Sequence, residues 1–530
     1  MTDGDCWVVT FDTDRIKEYL LSSPDLRRIR GASTLLELLN RGEAGAFDEW
    51  RDHWPAFMTH QESALTILRT YAEPGLPPIA AGGMAAAVLN AEADPQTVIT
   101  DVERAYRATT SIASITGVSV RCSRRRFEND FGSVMKETGR ALRREKDEKS
   151  QDFRVPLAPY LHPCDACRRH PAQEIDDRGD GLVCRACHTK GELGRSGRSI
   201  YWKKFLAGAG QEWQETRPPG DFNEVGDLAR PSGYVGFIYA DANGVGSILD
   251  DHMKSYQGFH DFSAGLDQLV QDTVHGALRT EARPSGNNVA PFEILLMGGD
   301  DVMLLVAADL ALPVAMNLTR GFSSGAERLV GELGLALPRR LGLSTGVVIA
   351  RAGFPVRVMY ELASGLLRSA KAESARKGNA IASAVDFMVV TEANTAGLEA
   401  VRDGVLSEKG MWAPPMTGER VCLTERPYTI ERLEKLMRSV AAVKSARIPR
   451  HLVRALYEDV FHSRLQAQLT GLRLRQKDGH RAVWDEVMDK LTMDPGFFPW
   501  RRSVEDGQVW WRTPIPDLVE IFDFVEGAGR

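Results

Sequence analysis

The 530-residue sequence is short of several features, and each shortage removes a class of protein. It lacks an excess of either charge. Its 66 lysines and arginines against 72 aspartates and glutamates leave a formal net charge of −6, which excludes a chain coated in cations for nucleic acid, though not a local basic face. It lacks a long apolar run. The longest uncharged stretch, Pro74 to Ala91, is broken by prolines and glycines and is too poor in large apolar side chains to span a bilayer. The start, Met1 to Asp5, is acidic where a secretory leader would be basic. Cysteine is scarce, odd in number at 7, and clustered, which argues against a disulfide framework and for a metal site in a reducing compartment. The cell interior, with no membrane partner, is therefore expected. What is present, 43% hydrophobic and 26% charged residues, is ordinary globular composition, and the length suggests three or four domains.

Four regions separate along the chain. Residues 1–156 open with a strand, Trp7 to Phe11, followed by a helical stretch with apolar positions at Ile16, Tyr19, Leu20, Ile29, Leu35, Leu36, Leu38 and Leu39. Residues 157–199 are rich in Cys, His, Gly and charge and too poor in large apolar residues to bury a core. Residues 200–391 alternate strand-like runs (Tyr234 to Ala240, Glu293 to Met297, Val302 to Val306, Leu343 to Ala350, Phe387 to Thr391) with helical stretches. That order, with a tight turn in the middle, is the split βαβ or ferredoxin-like pattern. Residues 392–530 carry helical periodicity and end in a Trp-rich stretch that reads as core. A faint repeat relates the first and third regions. Val8 to Asp12 resembles Gly236 to Asp241, and Ala81-Gly82-Gly83-Met84-Ala85 resembles Met297-Gly298-Gly299-Asp300-Asp301. The fold class expected is α+β, with two ferredoxin-like domains, a zinc ribbon-like insertion and a C-terminal helical domain.

Two motifs carry chemistry. Cys164-x-x-Cys167 and Cys184-x-x-Cys187 are knuckles sixteen residues apart that can place four thiolates around one zinc. The zinc would be structural; His162, His170 and His188 are nearby substitutes of lower weight. Gly298-Gly299-Asp300-Asp301 lies between two apolar strand runs and reads as a hairpin turn that projects adjacent carboxylates. A plain turn would look similar, but Asp241 ends the first strand of the same pattern, which neighbours the hairpin in a split βαβ sheet. Asp241, Asp300 and Asp301 would then converge as hard oxygen ligands for magnesium or manganese, suited to two-metal phosphoryl chemistry. The loop Ala242-Asn243-Gly244-Val245-Gly246 can bring backbone N–H groups near a triphosphate. Lys371, at a helix end, could hold phosphates or be a solvated cation. It is followed by Ala375-Arg376-Lys377-Gly378-Asn379. His260-Asp261 has no companion ligand pattern and reads as solvated charge. The stretch from Arg121 to Lys149 is basic but interspersed with acids, and reads as a solvated helix face rather than an RNA groove.

With these residues in view, the chain resembles the large, polymerase-like subunit of type III CRISPR effector complexes, the Cmr branch in particular. The resemblance rests on Phe11 to Tyr19 with Leu26-Arg27-Arg28-Ile29-Arg30-Gly31-Ala32-Ser33, on the four-cysteine knuckle, on Gly298 to Asp301, and on Arg426-Pro427-Tyr428-Thr429. It implies two palm domains and a cyclic oligoadenylate synthase that joins ATP through 3′–5′ bonds with release of pyrophosphate. Asp241, Asp300 and Asp301 would be the two-metal carboxylates; Asn243, Gly244, Gly298, Gly299 and Lys371 would meet the nucleotide. The first palm has Met84-Ala85 where the second has Asp300-Asp301, so it is expected to be degenerate and to bind the acceptor ATP through Gly82 and Gly83. Palm-like sequence begins by Trp7, so an HD-type nuclease domain and DNA cleavage are not expected. Partners implied are the other effector subunits with crRNA and target RNA. The alternatives are a non-catalytic scaffold of an RNA-guided complex and a stand-alone cyclase making another cyclic nucleotide, as GGDEF proteins do with guanine.

Overall fold

The computed structural model describes residues 4–42, 63–90, 92–149, 160–176, 179, 181–195, 199–376, 383–390, 398–412, 419–477, 479–491, 493, 496, 498–505 and 507–527. The first α/β unit contains β1 (Asp5–Thr13), α1 (Ile16–Leu20), α2 (Leu26–Arg41), α3 (Ala64–Tyr71), β2 (Ile79–Ala81), β3 (Met84–Leu89), α4 (Pro95–Thr110), β4 (Ile115–Ser123), α5 (Arg124–Asn129) and α6 (Phe131–Lys149). Its sheet has the order β2-β3-β1-β4, antiparallel throughout, which is the split βαβ arrangement. The stretch that reads as one helix from Ile16 to Leu39 is two. Pro24 cannot continue a helix interior, and Asp25 caps α2 by accepting from the Arg27 N–H.

The knuckle follows, with β5 (Glu174–Ile175) paired to β6 (Leu182–Val183) and α7 (Arg185–Arg195) behind them. Its buried apolar cluster consists of Cys164, Cys167, Cys184 and Cys187 with Val183 and Ala186. As its composition implies, the knuckle has almost no core of its own. Two connecting helices, α8 (Ile200–Ala207) and α9 (Phe222–Asp227), lead into the second unit.

The second α/β unit contains β7 (Tyr234–Asn243), α10 (Val245–Asp251), α11 (Tyr256–Glu281), β8 (Phe292–Gly298), β9 (Asp301–Ala307), α12 (Ala311–Glu332), β10 (Gly342–Arg351), α13 (Val356–Arg376) and β11 (Val385–Val389). The sheet order is β11-β10-β7-β9-β8. Its strands β8-β9-β7-β10 repeat the first unit's order, and β11 adds a fifth at the edge, parallel to β10. This last strand lies two residues earlier than the Phe387-to-Thr391 run suggests, and Thr391 is outside the described residues. Every residue of β9 after Asp301 is buried, as expected of a strand covered on both faces.

The C-terminal region holds β12 (Glu419–Cys422), α14 (Ile430–Ser445), α15 (Arg450–His462), α16 (Arg464–Gln476), α17 (Arg481–Lys490), β13 (Arg501–Glu505), β14 (Gln508–Arg512) and α18 (Ile515–Glu520). It is helical with one small sheet, β12-β14-β13, that the helical reading did not include. Trp484, Trp500 and Trp511 are buried as core, whereas Trp510 on β14 is half-buried. Arg426, from the Arg-Pro-Tyr-Thr motif, is buried between Asp517 and Glu520 and donates to the Phe387 carbonyl at 2.7 Å. The motif therefore ties the C-terminal region to the edge of the second sheet.

One buried core runs through both α/β units. Aromatic clusters sit on their junctions. Phe131 of α6 meets Tyr256 and Phe259 of α11, each with ring centroids 6.0 Å apart. Trp202 and Phe205 of α8 pack on Phe292 at the start of β8. Among the described residues no helix is long and apolar enough to cross a membrane.

Candidate active site

Asp241 and Asp301 are direct cross-strand partners on β7 and β9, so their Cα atoms lie about 4.5–5.5 Å apart. Asp300 occupies the turn between β8 and β9, where the Ala242 N–H donates to its backbone carbonyl at 3.2 Å. Gly299 takes φ 62° in that turn, a left-handed conformation that favours glycine, and its N–H donates to Asp267 of α11. The three acidic residues thus converge at one end of the sheet, as their spacing suggests. Lys371, on α13, forms an ion pair with Asp241. It stands beside the carboxylates and is not a free helix-end cation. Asn243 donates from Nδ2 to Ser344 Oγ at 2.9 Å, and Gly244, at φ 85°, turns the chain into α10. Lys377, Gly378 and Asn379 lie outside the described residues.

The electrostatics are those of crowded carboxylates. Burial, reinforced by Asp241 and Asp301, pushes Asp300 up to about 6. Among the described residues it pairs with no cation. Asp241 is also raised by burial and by Asp301, against the opposing pull of Lys371. A divalent cation is the natural partner for such a group, since each carboxylate brings hard oxygens and Asp300 makes no ion pair among the described residues.

Two further residues bear on Asp301, and neither carries a local signal in the sequence. Tyr239 donates from its hydroxyl to Asp301 Oδ1 at 3.0 Å. Lys17, on α1 of the other α/β unit, reaches Asp301 Oδ2 at 2.5 Å. Both contacts depend on pairing between segments far apart in the chain.

The two units meet at their glycine turns. A Cβ placed on Gly82 would lie 2.7 Å from Gly299 Cα, and one on Gly299 would lie 2.9 Å from Gly82 Cα. Gly82 also sits at φ 60°. Gly82→Ala is therefore expected to destabilise the chain by on the order of 2–4 kcal/mol, combining left-handed strain with overpacking. Chemical denaturation would measure it, and an unchanged midpoint would contradict the contact.

Strand register corrects the alignment of the two units. Asp12 lies opposite Met84 as Asp241 lies opposite Asp301, and Ala81 pairs with Met84 as Gly298 pairs with Asp301. Gly83 and Met84, rather than Met84 and Ala85, therefore stand at the places of Asp300 and Asp301. The register also uncovers a shared pair. Lys146 of α6 binds Asp12 at 2.5 Å, as Lys371 binds Asp241, and both lysines fall within a Leu-Arg-x-x-Lys string, Leu142 to Lys146 and Leu367 to Lys371. Lys146 also contacts Asp14 at 3.2 Å. Of the basic stretch, Arg121, Arg124, Arg126, Lys136, Lys146 and Lys149 are in ion pairs. His260 Nδ1 lies 3.1 Å from Oδ1 of the adjacent Asp261, and His260 joins no ligand cluster among the described residues.

In the knuckle, the four cysteine sulfurs lie within 4.8 Å of one another and are buried, with Cys167 and Cys184 Sγ at 3.9 Å. Four thiolates about 2.3 Å from a tetrahedral metal would be about 3.8 Å apart, so the donor set fits a closed, four-sulfur metal site. His162, His170 and His188 do not join the cluster. Helix α7 packs against α2 at closest approach. A Cβ on Gly31 would fall 1.9 Å from the Lys190 carbonyl oxygen, and one on Gly194 would fall 2.0 Å from that of Arg27. Arg27 donates to Gly191 O at 2.8 Å, and Arg28 to Cys187 O at 3.3 Å. From the same helix, Arg30 forms a buried ion pair with Glu293 of β8, and Ser33 donates to the Leu295 carbonyl. Helix α2 thus joins the knuckle to the strand that leads into the Gly-Gly-Asp-Asp turn.

Residues 234–382 match the family described as "Cas10/Cmr2, second palm domain". No curated protein matches the sequence. Solved structures with a similar fold include Csm1 in T.onnurineus (TM-score 0.55, 14% identity, covering 98% of this chain and 70% of that one). A Csm1–Csm4 cassette in complex with pppApA gives a TM-score of 0.56 at 14% identity, covering 99% and 70%. A Csm1–Csm4 cassette in complex with cA3 gives 0.52 at 14% identity, covering 92% and 70%. At this identity these likenesses establish a shared fold.

Proposed function

We propose that this Cas10-like chain, built around a Cas10/Cmr2-type second palm, is a cyclic oligoadenylate synthase working inside the cell in type III CRISPR-type antiviral signalling. The observation that carries the reading is the convergence of Asp241, Asp300 and Asp301 with Lys371 at the end of the second sheet, facing the first unit's glycine turn. The folds of Csm1–Csm4 cassettes in complex with pppApA and cA3 support adenylate as the class of substrate and product.

Asp241, Asp300 and Asp301 would hold two magnesium or manganese ions, which when bound activate a hydroxyl and neutralise charge on the leaving phosphates. The reaction joins the 3′-oxygen of one ATP to the α-phosphorus of a second. The bond from that phosphorus to the β-phosphate bridging oxygen breaks, pyrophosphate leaves, and the hydroxyl proton passes to solvent. Ring closure repeats the step within one chain. Lys371 would exchange Asp241 for phosphate oxygens, and the glycines at 298 and 299 leave the turn open to close approach of a nucleotide. Asn243 and Gly244 shape the loop beside it. The first unit keeps the Asp12–Lys146 pair but has Gly83 and Met84 where the second has carboxylates. It is read as a degenerate palm that seats the acceptor ATP near Gly82 and Gly83.

We further infer that the knuckle metal is zinc, in a structural role. The partners proposed are a Csm4-type subunit, as in the solved cassettes, and the guide and target RNAs of an effector complex.

Pyrophosphate release from each of the four NTPs in turn, with magnesium or manganese, tests the reading. Release from ATP above the other three supports it. Preference for GTP would favour a guanine cyclase. Absence of release from any NTP, with target RNA and partner subunits also supplied, would favour a scaffold.

A further inference from the structure

Lys17 stands apart from the other cations of the site because it comes from the opposite unit. Its ammonium meets Asp301 Oδ2 at 2.5 Å and lies 5.7 Å from the centre of the Tyr239 ring. Both partners are less than one-third exposed, at 30% for Lys17 and 22% for Asp301. The contact is therefore more than a loose surface pair.

The internal repeat makes the arrangement one-sided. Helices α1 and α10 follow their strands identically. Each begins four residues after the strand-end aspartate, and each has a left-handed N-cap, Arg15 at φ 49° and Gly244 at φ 85°. Lys17 is five residues beyond Asp12, and the residue five beyond Asp241 is Gly246. The unit without turn carboxylates thus lends a lysine to the unit that has them, and the matching place in the second unit, Gly246, has no side chain to lend.

Lys17 is also anchored to the meeting point of the units. Thr13, just before α1, donates to the Gly83 carbonyl from its N–H at 2.9 Å and from its hydroxyl at 2.8 Å. A Cβ on Gly83 would meet Ile16 Cδ1 at 2.5 Å, and the adjacent Gly82 abuts Gly299. A shift of one turn against the other would therefore carry Lys17 towards or away from Asp301. A divalent cation needs carboxylate oxygens at about 2.0–2.1 Å for magnesium, and an ammonium on Asp301 Oδ2 competes for that position.

We propose that Lys17 is a built-in counter-ion for Asp301, supplied by the first unit, which a divalent cation must displace, so that the seating of the first unit sets the metal affinity of the second. This rests on the metal-site reading above. Lys17 is a positioning residue in this account, acting through Asp301.

The test is manganese binding to the full chain without nucleotide, followed by electron paramagnetic resonance. Lys17→Met is expected to tighten manganese binding by on the order of 3–10-fold, the equivalent of one modest ion pair. Lys17→Gln should do the same, whereas Lys17→Arg should stay near wild type. In an Asp301→Asn background, Lys17→Met should change nothing, because the partner is gone. Unchanged or weaker binding in both Lys17→Met and Lys17→Gln would overturn the proposal, as would an equal gain in the Asp301→Asn background. A chain whose manganese binding survives Asp300→Asn with Asp301→Asn would instead remove the metal site itself, and the counter-ion with it.

Discussion

Asp300→Asn combined with Asp301→Asn will bring oligoadenylate formation to background while the chain remains folded. The two residues are half of the Gly-Gly-Asp-Asp turn and supply two of the three carboxylates that converge at the end of the sheet. Asparagine keeps their volume and removes the charge that would hold metal, so the loss should fall on turnover, at least about 10³-fold. For Asp300→Asn alone, stability should move the other way. Burial raises Asp300 from the usual carboxylate range to about 6. The unfolded chain therefore loses this proton near pH 4 and the folded chain near pH 6. Stability falls as pH rises between those values, and the full penalty is present above pH 6. Asp300→Asn removes that penalty and should stabilise the metal-free protein at pH 7–8 by about 1–2 kcal/mol, after allowance for solvent screening of a half-buried group. At pH 4 the variant and wild type should converge. The same proton governs metal binding, and manganese affinity should weaken progressively as pH falls below about 6. A double variant that still makes product would contradict the assignment of these carboxylates.

Cys184→Ser will reduce folded yield and knuckle metal content, and its effect will reach beyond the knuckle. The segment has a buried cluster of four sulfurs, one valine and one alanine, so the metal would replace a core. Such sites supply about 10–16 kcal/mol of folding free energy. Helix α7 carries Cys187 and is clamped on α2 through Gly31 and Gly194 at near-contact distance. Helix α2 in turn holds Glu293 and the Leu295 carbonyl on β8, the strand that enters the Gly-Gly-Asp-Asp turn. Loss of one thiolate should therefore raise hydrogen exchange in α7 first, then in α2, and then at β8. Metal analysis of the purified variant checks the first claim, with stoichiometry expected well below wild type. Normal stoichiometry would remove Cys184 from the ligand set, and unchanged exchange in α2 would break the proposed connection.

The knuckle and the acidic turn were legible because their signals are local. Two Cys-x-x-Cys pairs need no tertiary context, and a Gly-Gly-Asp-Asp string between apolar runs already reads as a hairpin. Asp241 was reachable because the split βαβ order makes the first strand and the hairpin neighbours. The first unit was harder. Matching Gly82-Gly83 to Gly298-Gly299 by letter places the repeat one residue out of step, since the turn falls on both glycines in one unit and on Gly299 and Asp300 in the other. Only strand register resolves that. Lys17 and Tyr239 left no trace for a different reason. Their chemistry depends on a unit boundary and a cross-strand neighbour that no spacing rule encodes. The small sheet β12-β14-β13 was hidden as well. Its strands are four or five residues long, one is separated from the others by four helices, and charged residues interrupt their alternation.

The most direct test of the central claim is the mass of what the protein makes from ATP. Purified chain, alone and then with partner subunits and target RNA, is incubated with ATP and manganese, and the products are treated with phosphatase before mass spectrometry. Phosphatase-resistant adenylates are expected, with masses that are whole multiples of AMP less one water per unit, the signature of a closed ring. ATP left intact under both conditions, by a folded chain with a full knuckle, would contradict it.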